Sequence, residues 1–291
     1  MPVDVGVAAV AAAHAAGINF YDTSPFYGIT KSETVLGEAL KPLPRDGIIV
    51  ATKVGRYGQD EFDFSSGRVS ASIVDSLRRL GLDRLDIVHC HDVEFGDAAQ
   101  VCEQAIPTLL DLKAQRVIGA IGVTGYPLPA LDKVLAAAPK GSVDIVLSYC
   151  RGCLADHALD AAAARWTAAG LGVINASPLS MGLLTQRGPP EWHPAPAELK
   201  AAARAAAAVA ADAGFDIADL ALRDALAVPH VASHLVGCGS PEVVEANVRA
   251  ARAALARAPP AEAAALDAVR GVLAPVLGTT WPSGRPENGG P

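Results

Sequence analysis

The chain has 291 residues, 24 Lys plus Arg against 31 Asp plus Glu, and a formal charge of −7. That length excludes a small stapled scaffold and allows one large domain or two small ones. With 51% hydrophobic and 19% charged residues, disorder is excluded, and the acidic balance argues against a nucleic-acid partner. Aromatics are few (three Trp, five Tyr, six Phe), so the core must be aliphatic and each Tyr or Trp outside a core stripe stands out.

The first residues are apolar but carry Asp4 and His14 and lack a basic region, unlike a secretory signal. No uncharged apolar run reaches the ~18 residues of a membrane span. Five cysteines, with a lone Cys150-x-x-Cys153 pair, predict neither a full disulfide set nor a metal site. A reduced, cytoplasmic protein without a membrane or nucleic-acid partner is expected, of unknown oligomeric state.

A helical stretch at 3–16 comes first. Seven short β-rich runs then alternate with helices: 17–23, 47–54, 85–91, 118–124, 143–149, 171–177 and 231–237. They are apolar on both faces, as covered parallel strands are. The intervening helices are expected at 32–40, 65–80, 97–115, 127–138, 156–169, 197–213 and 241–256, with Ser65 as a capped start and Pro241 at a first helical position behind Ser240. This repetition predicts an α/β fold of the (β/α)8 barrel type in one domain, 1–279, followed by a tail, 280–291; a doubly wound sheet is the rival. Seven strands leave the barrel one short. The chain is therefore expected to lack a hairpin and first strand of roughly 25 to 35 residues, through truncation or a misplaced gene start, leaving two open strand edges and reduced activity. Residues 186–196 (QRGPPEWHPAP) form a candidate substrate loop.

Catalytic groups of such barrels gather at the C-terminal strand ends. Asp22 ends the first run and Tyr27 follows it; Lys53 ends the second; His91 ends the third. Alone, each has a bland reading: a turn acid, a rim charge, a core histidine. Together they form a proton-transfer set, because an ammonium beside a phenol favours the phenolate, an acid holds the ammonium, and an imidazole orients the reacting oxygen.

The run GINFYDTSPFYG with ATK and HCHD resembles the aldo-keto reductases over nearly the whole chain. The resemblance implies a barrel that binds a nicotinamide dinucleotide without a GxGxxG loop, and a catalytic tetrad of Asp22, Tyr27, Lys53 and His91. The family's spacing from the strand acid, here Asp86, selects His91 over His89. Within that family, GRYGQDEFDFS, DIVHCHDVEFG, SPLSMGLLTQRGPPEWHP and TWPSG are most similar to the plant-type L-galactose dehydrogenases. That implies NAD-dependent oxidation of L-galactose at C1 to L-galactono-1,4-lactone, a step in ascorbate synthesis, with Tyr27 as general base. The cofactor positions carried over are Thr124, Ser148, Ser177, Leu179, Gly182, Gly237, Gly239 and Asn247. A Gly stands at 125 where the family often has Asn, and Ala176 stands where a stacking Tyr is common. NADP-using relatives place Lys and Arg at the positions of Gly237 and Val243; here no cation is offered, and Glu242 and Glu245 oppose a 2′-phosphate. Tyr57, Asp92, Trp192, His193 and Trp281 are candidate sugar contacts. Alternatives are another aldose dehydrogenase (L-fucose or D-threo-aldose type), a weakly active or non-catalytic barrel, and an unrelated hydrolase, for which a carboxylate pair and metal ligands are missing.

Overall fold

In the computed structural model the described residues run from Pro2 to Asn288. In chain order the elements are α1 (Val3–Ala15), β1 (Phe20–Asp22), α2 (Lys31–Leu40), β2 (Ile49–Val54), α3 (Ser66–Leu80), β3 (Leu85–Cys90), α4 (Ala98–Gln100), α5 (Ile106–Ala114), β4 (Ile118–Gly125), α6 (Leu128–Ala137), β5 (Ile145–Tyr149), α7 (Ala158–Ala168), β6 (Gly172–Ala176), α8 (Ala197–Asp212), α9 (Ile217–Leu226), β7 (Ser233–Leu235), α10 (Pro241–Ala254) and α11 (Pro260–Leu273). All seven expected strands form; six are shorter than their β-rich runs, and β4 extends one residue beyond its run, to Gly125. They join one sheet in chain order, β1 to β7. The pairs β1–β2, β2–β3, β3–β4 and β6–β7 are parallel. Among the described residues β1 pairs only with β2, and β7 only with β6.

The chain divides into two compact units. The first holds residues 1–147, 238–245 and 283–291; the second holds 148–237 and 246–282. In the first, β2 is buried at every position after Ile49, and β3 at every position except Asp86, as expected for strands covered on both faces. α3 turns Val69, Ile73 and Leu80 inward and ends in a cation-rich turn, Arg78 and Arg79, which suits the negative end of the helix dipole. The register aligns Lys53 with His89 and His89 with Gly122. Gly122 is required there, since a Cβ would lie 2.0 Å from Nδ1 of His89.

Four local expectations need correction. Ser65 precedes α3 without a capping side-chain bond; Asp63 instead accepts from the Ser65 backbone N–H at 2.8 Å. The single helix expected over 97–115 is α4 and α5 joined by a π-helical turn, Val101–Ala105. The helices α9 and α11 were absent from the expected set; both fall in Ala-rich sequence, where small residues blur the apolar stripe. In the second unit, α8 and α11 pack on each other. The tail is docked as far as Asn288: Arg285 N–H donates to Glu94 O at 2.9 Å, and Asn288 Nδ2 to the same carbonyl at 3.0 Å. The last three residues of the expected tail, like Met1, lie outside the described residues.

Candidate active site

The four groups singled out from sequence meet in the first unit. Asp22 closes β1, whose ladder continues as Thr23 N–H donates to Ala51 O at 2.9 Å. Lys53, only 2% exposed, donates from Nζ to Asp22 Oδ1 and to Thr23 O at 2.9 Å. A turn after β1, closed by Tyr27 N–H on Ser24 O at 3.1 Å, brings the Tyr27 ring over Lys53, with Nζ 4.7 Å from the ring centroid. His91 lies one residue beyond the end of β3, its N–H still bonded to Val54 O at 2.9 Å. Its ring stands edge-on to Tyr27 at 5.7 Å.

His89 and His91 are two residues apart on a strand, so they share a face and differ in depth. His89 is fully buried in the Lys53–His89–Gly122 row, and neither ring nitrogen has a hydrogen-bond partner among the described residues. His91 is the one that reaches Tyr27.

The electrostatics depart from the simple expectation. Burial raises the Tyr27 pKa; Lys53 pulls it down, while the charges of Asp22 and Asp92 push it further up. The site therefore holds a protonated phenol, where the sequence alone suggests a lowered pKa. Lys53 loses some affinity for its proton by burial, but Asp22 and Tyr27 more than restore it, so the ammonium persists. His91 is held well below its ordinary pKa by burial and by the cations of Lys53 and Arg56. It is a neutral imidazole that can donate one hydrogen bond and accept another.

Asp92, expected to meet the sugar, is bound in a salt bridge to Arg56. Its backbone is left-handed (φ 47°), and its N–H donates to Thr124 Oγ1 at 2.9 Å. Arg56 went unnoticed in the sequence. Its guanidinium lies 3.8 Å from the Phe26 ring centroid, with Phe62 and Phe95 at 5.1 and 5.4 Å. Such a cage strengthens a cation's contacts by removing water. The available signal was its place three residues after Lys53 on the same strand end. Tyr57 is buried, with Arg68 3.7 Å from its ring centroid.

Glu94, also unnoticed, is buried beside this group. Its carboxylate accepts from Tyr126 N–H at 3.0 Å and Ser283 Oγ–H at 3.2 Å. Burial and the neighbouring Asp92 push its pKa up to about 8.

The remaining candidates lie mostly in the second unit. Trp192, His193 and Trp281 form one cluster, with His193 stacked on Trp192 at 6.2 Å and edge-on to Trp281 at 5.3 Å. Trp192 is 70% exposed. His193 is buried, its Nε2 donating to Ser180 O at 2.9 Å and its Nδ1 accepting from Ala195 N–H at 3.1 Å. Both nitrogens thus hold the 186–196 loop, leaving neither for a sugar hydroxyl. Ser177, Leu179 and Gly182 lie in a chain of tight turns. Ser177, Ser180 and Met181 are left-handed there, and Ser180 N–H bonds Ser177 O at 2.8 Å. Asn247 Nδ2 donates to Gly237 O at 3.4 Å. In the first unit Ser240 Oγ accepts from Val243 N–H at 3.4 Å, the expected cap of α10, and Glu242 and Glu245 are exposed on that first turn, close after Gly239.

The second unit also carries open polar atoms that fit a nicotinamide group. Ser148 Oγ and Asn175 Oδ1 are buried and have no hydrogen-bond partner among the described residues. A hydroxyl and an amide oxygen left open suit a carboxamide, which both donates and accepts. Ser148 was expected; Asn175 was missed because the middle of an apolar strand hides it. Among the described residues no group of three His, Cys, Asp or Glu is placed to hold a metal ion. No described helix is long and apolar enough to cross a membrane. None of the five cysteines is in a disulfide; Cys90 is buried, and burial pushes its thiol up to about 12, so it packs as an inert small apolar group.

The strand order and the tetrad define an oxidoreductase barrel. The sequence pattern of the aldo/keto reductase family matches residues 4–270, and the chain belongs to that family. Its fold is α/β, of the TIM-barrel type, and the family works with nicotinamide cofactors. Among particular relatives, it is 48% identical to the L-galactose dehydrogenase of Arabidopsis thaliana over 98% of this chain and 89% of that protein. It is 39% identical to the D-arabinose 1-dehydrogenase of Saccharomyces cerevisiae, over 72% of this chain and 65% of that one. A solved aldo-keto reductase from Bacillus halodurans superposes with a TM-score of 0.71 at 25% identity, covering 90% of this chain and 86% of its own.

Proposed function

We propose that this chain is an NAD-dependent aldose 1-dehydrogenase that oxidises L-galactose at C1 to L-galactono-1,4-lactone, as in ascorbate synthesis, in the cytoplasm. The observation that carries the reading is the convergence of Asp22, Lys53, Tyr27 and His91 on one polar centre, in which Lys53 and His91 are buried and Tyr27 is 38% exposed. The 48% identity to an L-galactose dehydrogenase supports the choice of sugar. The expected partner is a small sugar.

A bound nicotinamide dinucleotide supplies the hydride acceptor. The chain's residues manage the proton. Tyr27, once its phenol is ionised, takes the proton of the C1 hydroxyl as C1 gives up its hydride. Lys53 stabilises the phenolate so formed, and Asp22 holds Lys53 in place. Neutral His91 donates a hydrogen bond to the reacting oxygen and orients it. Ser148 and Asn175 offer the open polar atoms for the carboxamide; Thr124, Ser177, Leu179, Gly182, Gly237, Gly239 and Asn247 are the further positions proposed for the dinucleotide. The choice of NAD over NADP rests on charge. A 2′-phosphate requires cations to replace its hydration, and the α10 start carries Glu242 and Glu245 with neutral Gly237 and Val243 nearby in sequence.

The test is a panel of aldoses, each with NAD⁺ and with NADP⁺, followed by reduced-cofactor absorbance. The expected result is the highest kcat/KM for L-galactose with NAD⁺. A higher value for D-arabinose or L-fucose would reassign the sugar, and absence of turnover on every aldose would sink the reading.

A further inference from the structure

His91 must present the correct ring nitrogen to act on a sugar oxygen, and a neutral imidazole carries its proton on only one of two. Nothing in the tetrad decides which. The deciding contact comes from Ser24, two residues past Asp22. Ser24 is fully buried, and its Oγ lies 3.1 Å from His91 Nδ1. The same oxygen accepts the Phe26 N–H at 3.1 Å.

We propose that Ser24 is a positioning residue: its hydroxyl donates to Nδ1 of His91 and fixes the imidazole as the Nε2–H tautomer that donates to the substrate oxygen. This rests on the dehydrogenase reading for what His91 does, but not for how its proton is placed.

The hydrogen-bond inventory argues for this direction. With Phe26 N–H already directed at Oγ, the hydroxyl hydrogen needs an acceptor. His91 Nδ1 is the only one within reach among the described residues. In the opposite tautomer, Nδ1–H would become a second donor to Oγ, and the buried hydroxyl hydrogen would be left unpaired. That tautomer would also turn the bare lone pair of Nε2 toward Asp92 Oδ2, 3.6 Å away. At that distance Asp92 makes no hydrogen bond of its own, and it is committed to Arg56. Ser24 is therefore the one hydrogen bond that selects the tautomer, and Asp92 merely favours the same side. The charged and titratable groups around the ring are Lys53, Arg56, Asp92 and Tyr27. The two cations oppose a second proton on the imidazole, so a single tautomer, not an imidazolium, occupies the site.

The test uses the full chain with ¹⁵N-labelled histidine and no ligand, reading the ring nitrogens by NMR, with His91→Gln identifying the His91 signals. In the unsubstituted protein the expected result is His91 with Nε2 protonated and Nδ1 an acceptor. Finding Nδ1 protonated overturns the proposal and needs no variant. Ser24→Ala is expected to give a mixture of tautomers and to lower kcat by about tenfold to a hundredfold, the usual cost of losing the partner that orients a functional histidine, with the KM for cofactor unchanged. Ser24→Thr, which keeps the hydroxyl, is expected to restore the Nε2–H signature and most of kcat. A Ser24→Ala protein with an unchanged tautomer and unchanged kcat overturns the proposal. If no aldose is oxidised but the tautomer changes as expected, the substrate reading has failed and the role of Ser24 stands.

Discussion

At the scale of single residues, the site is governed by opposing fields on one phenol. Lys53 lowers the Tyr27 pKa while burial, Asp22 and Asp92 raise it, and the balance keeps the phenol protonated. Aldose oxidation needs that proton removed, so its rate is expected to rise with pH through the Tyr27 ionisation. Lys53→Met removes the one opposing cation and should shift the acid limb of kcat to higher pH; a limb that stays in place or moves lower would refute Lys53 as the tuning charge. Tyr27→Phe deletes the proton acceptor. It should lower kcat by a factor of about 10² to 10⁴, the usual worth of a positioned general base, with NAD⁺ affinity retained, as read by steady-state kinetics beside calorimetric binding. Gly122→Ala is argued from space alone: the added carbon would meet His89 2.0 Å away. Overpacking of this kind costs about 1–3 kcal/mol, measurable as a lowered midpoint in urea. These residues differ in how openly the sequence displayed them. Asp22, Tyr27, Lys53 and His91 stand at strand ends, where polar residues interrupt apolar runs. Ser24, Arg56 and Asn175 look like ordinary turn, loop or strand residues until the folded neighbours are known.

At the scale of elements, the docked segment 283–288 is the least expected feature. It packs on the loop carrying Asp92, Glu94 and Phe95, with Arg285 Nε donating to Phe95 O at 2.9 Å. Gly284 is left-handed (φ 91°), and a Cβ there would lie 2.5 Å from Glu94 O, so only glycine lets the segment approach. Glu94 under it is a carboxyl raised from 4.5 to about 8. The folded state therefore holds this proton more tightly than the unfolded one. Stability should fall as pH rises through the window from about 4.5 to about 8, then level off. Glu94→Gln is expected to flatten that slope, measured as Tm against pH, and to keep the segment docked in alkaline solution, measured by limited proteolysis. An unchanged slope in the variant would show that Glu94 does not titrate there. The segment's position was not legible beforehand, because its contacts to Glu94 bridge about 190 residues of chain and leave no local periodicity. The 97–115 stretch shows a milder version: its apolar spacing is helical, and the π-helical turn Val101–Ala105 within it leaves no mark on that spacing.

At the scale of the molecule, alternation of strands and helices in chain order is what a (β/α) barrel requires, and the match to the aldo-keto reductase family spans residues 4–270. Ligand binding offers a whole-molecule test of cofactor choice. A ligand that binds only the folded state stabilises it by about 2.7 kcal/mol at a hundred times its Kd. NAD⁺ should therefore raise Tm clearly while NADP⁺ at equal concentration does so far less, and pairing Val243→Arg with Glu242→Gln should narrow the gap. Equal shifts from both cofactors would remove the charge argument.

The sequence by itself determined the order of strands and helices, the fold class and the four groups at the strand ends. Those follow from local periodicity and from a backbone that places successive strand ends on one side. Only the tertiary structure decided the raised Tyr27, the caged Arg56 beside Asp92, the two occupied nitrogens of His193, the docked 283–288 segment and the bond from Ser24 to His91. Each of these depends on burial and on groups brought within a few ångströms from distant parts of the chain. Dielectric, hydrogen-bond direction and charge coupling are set at that range, and no local pattern in the sequence encodes them.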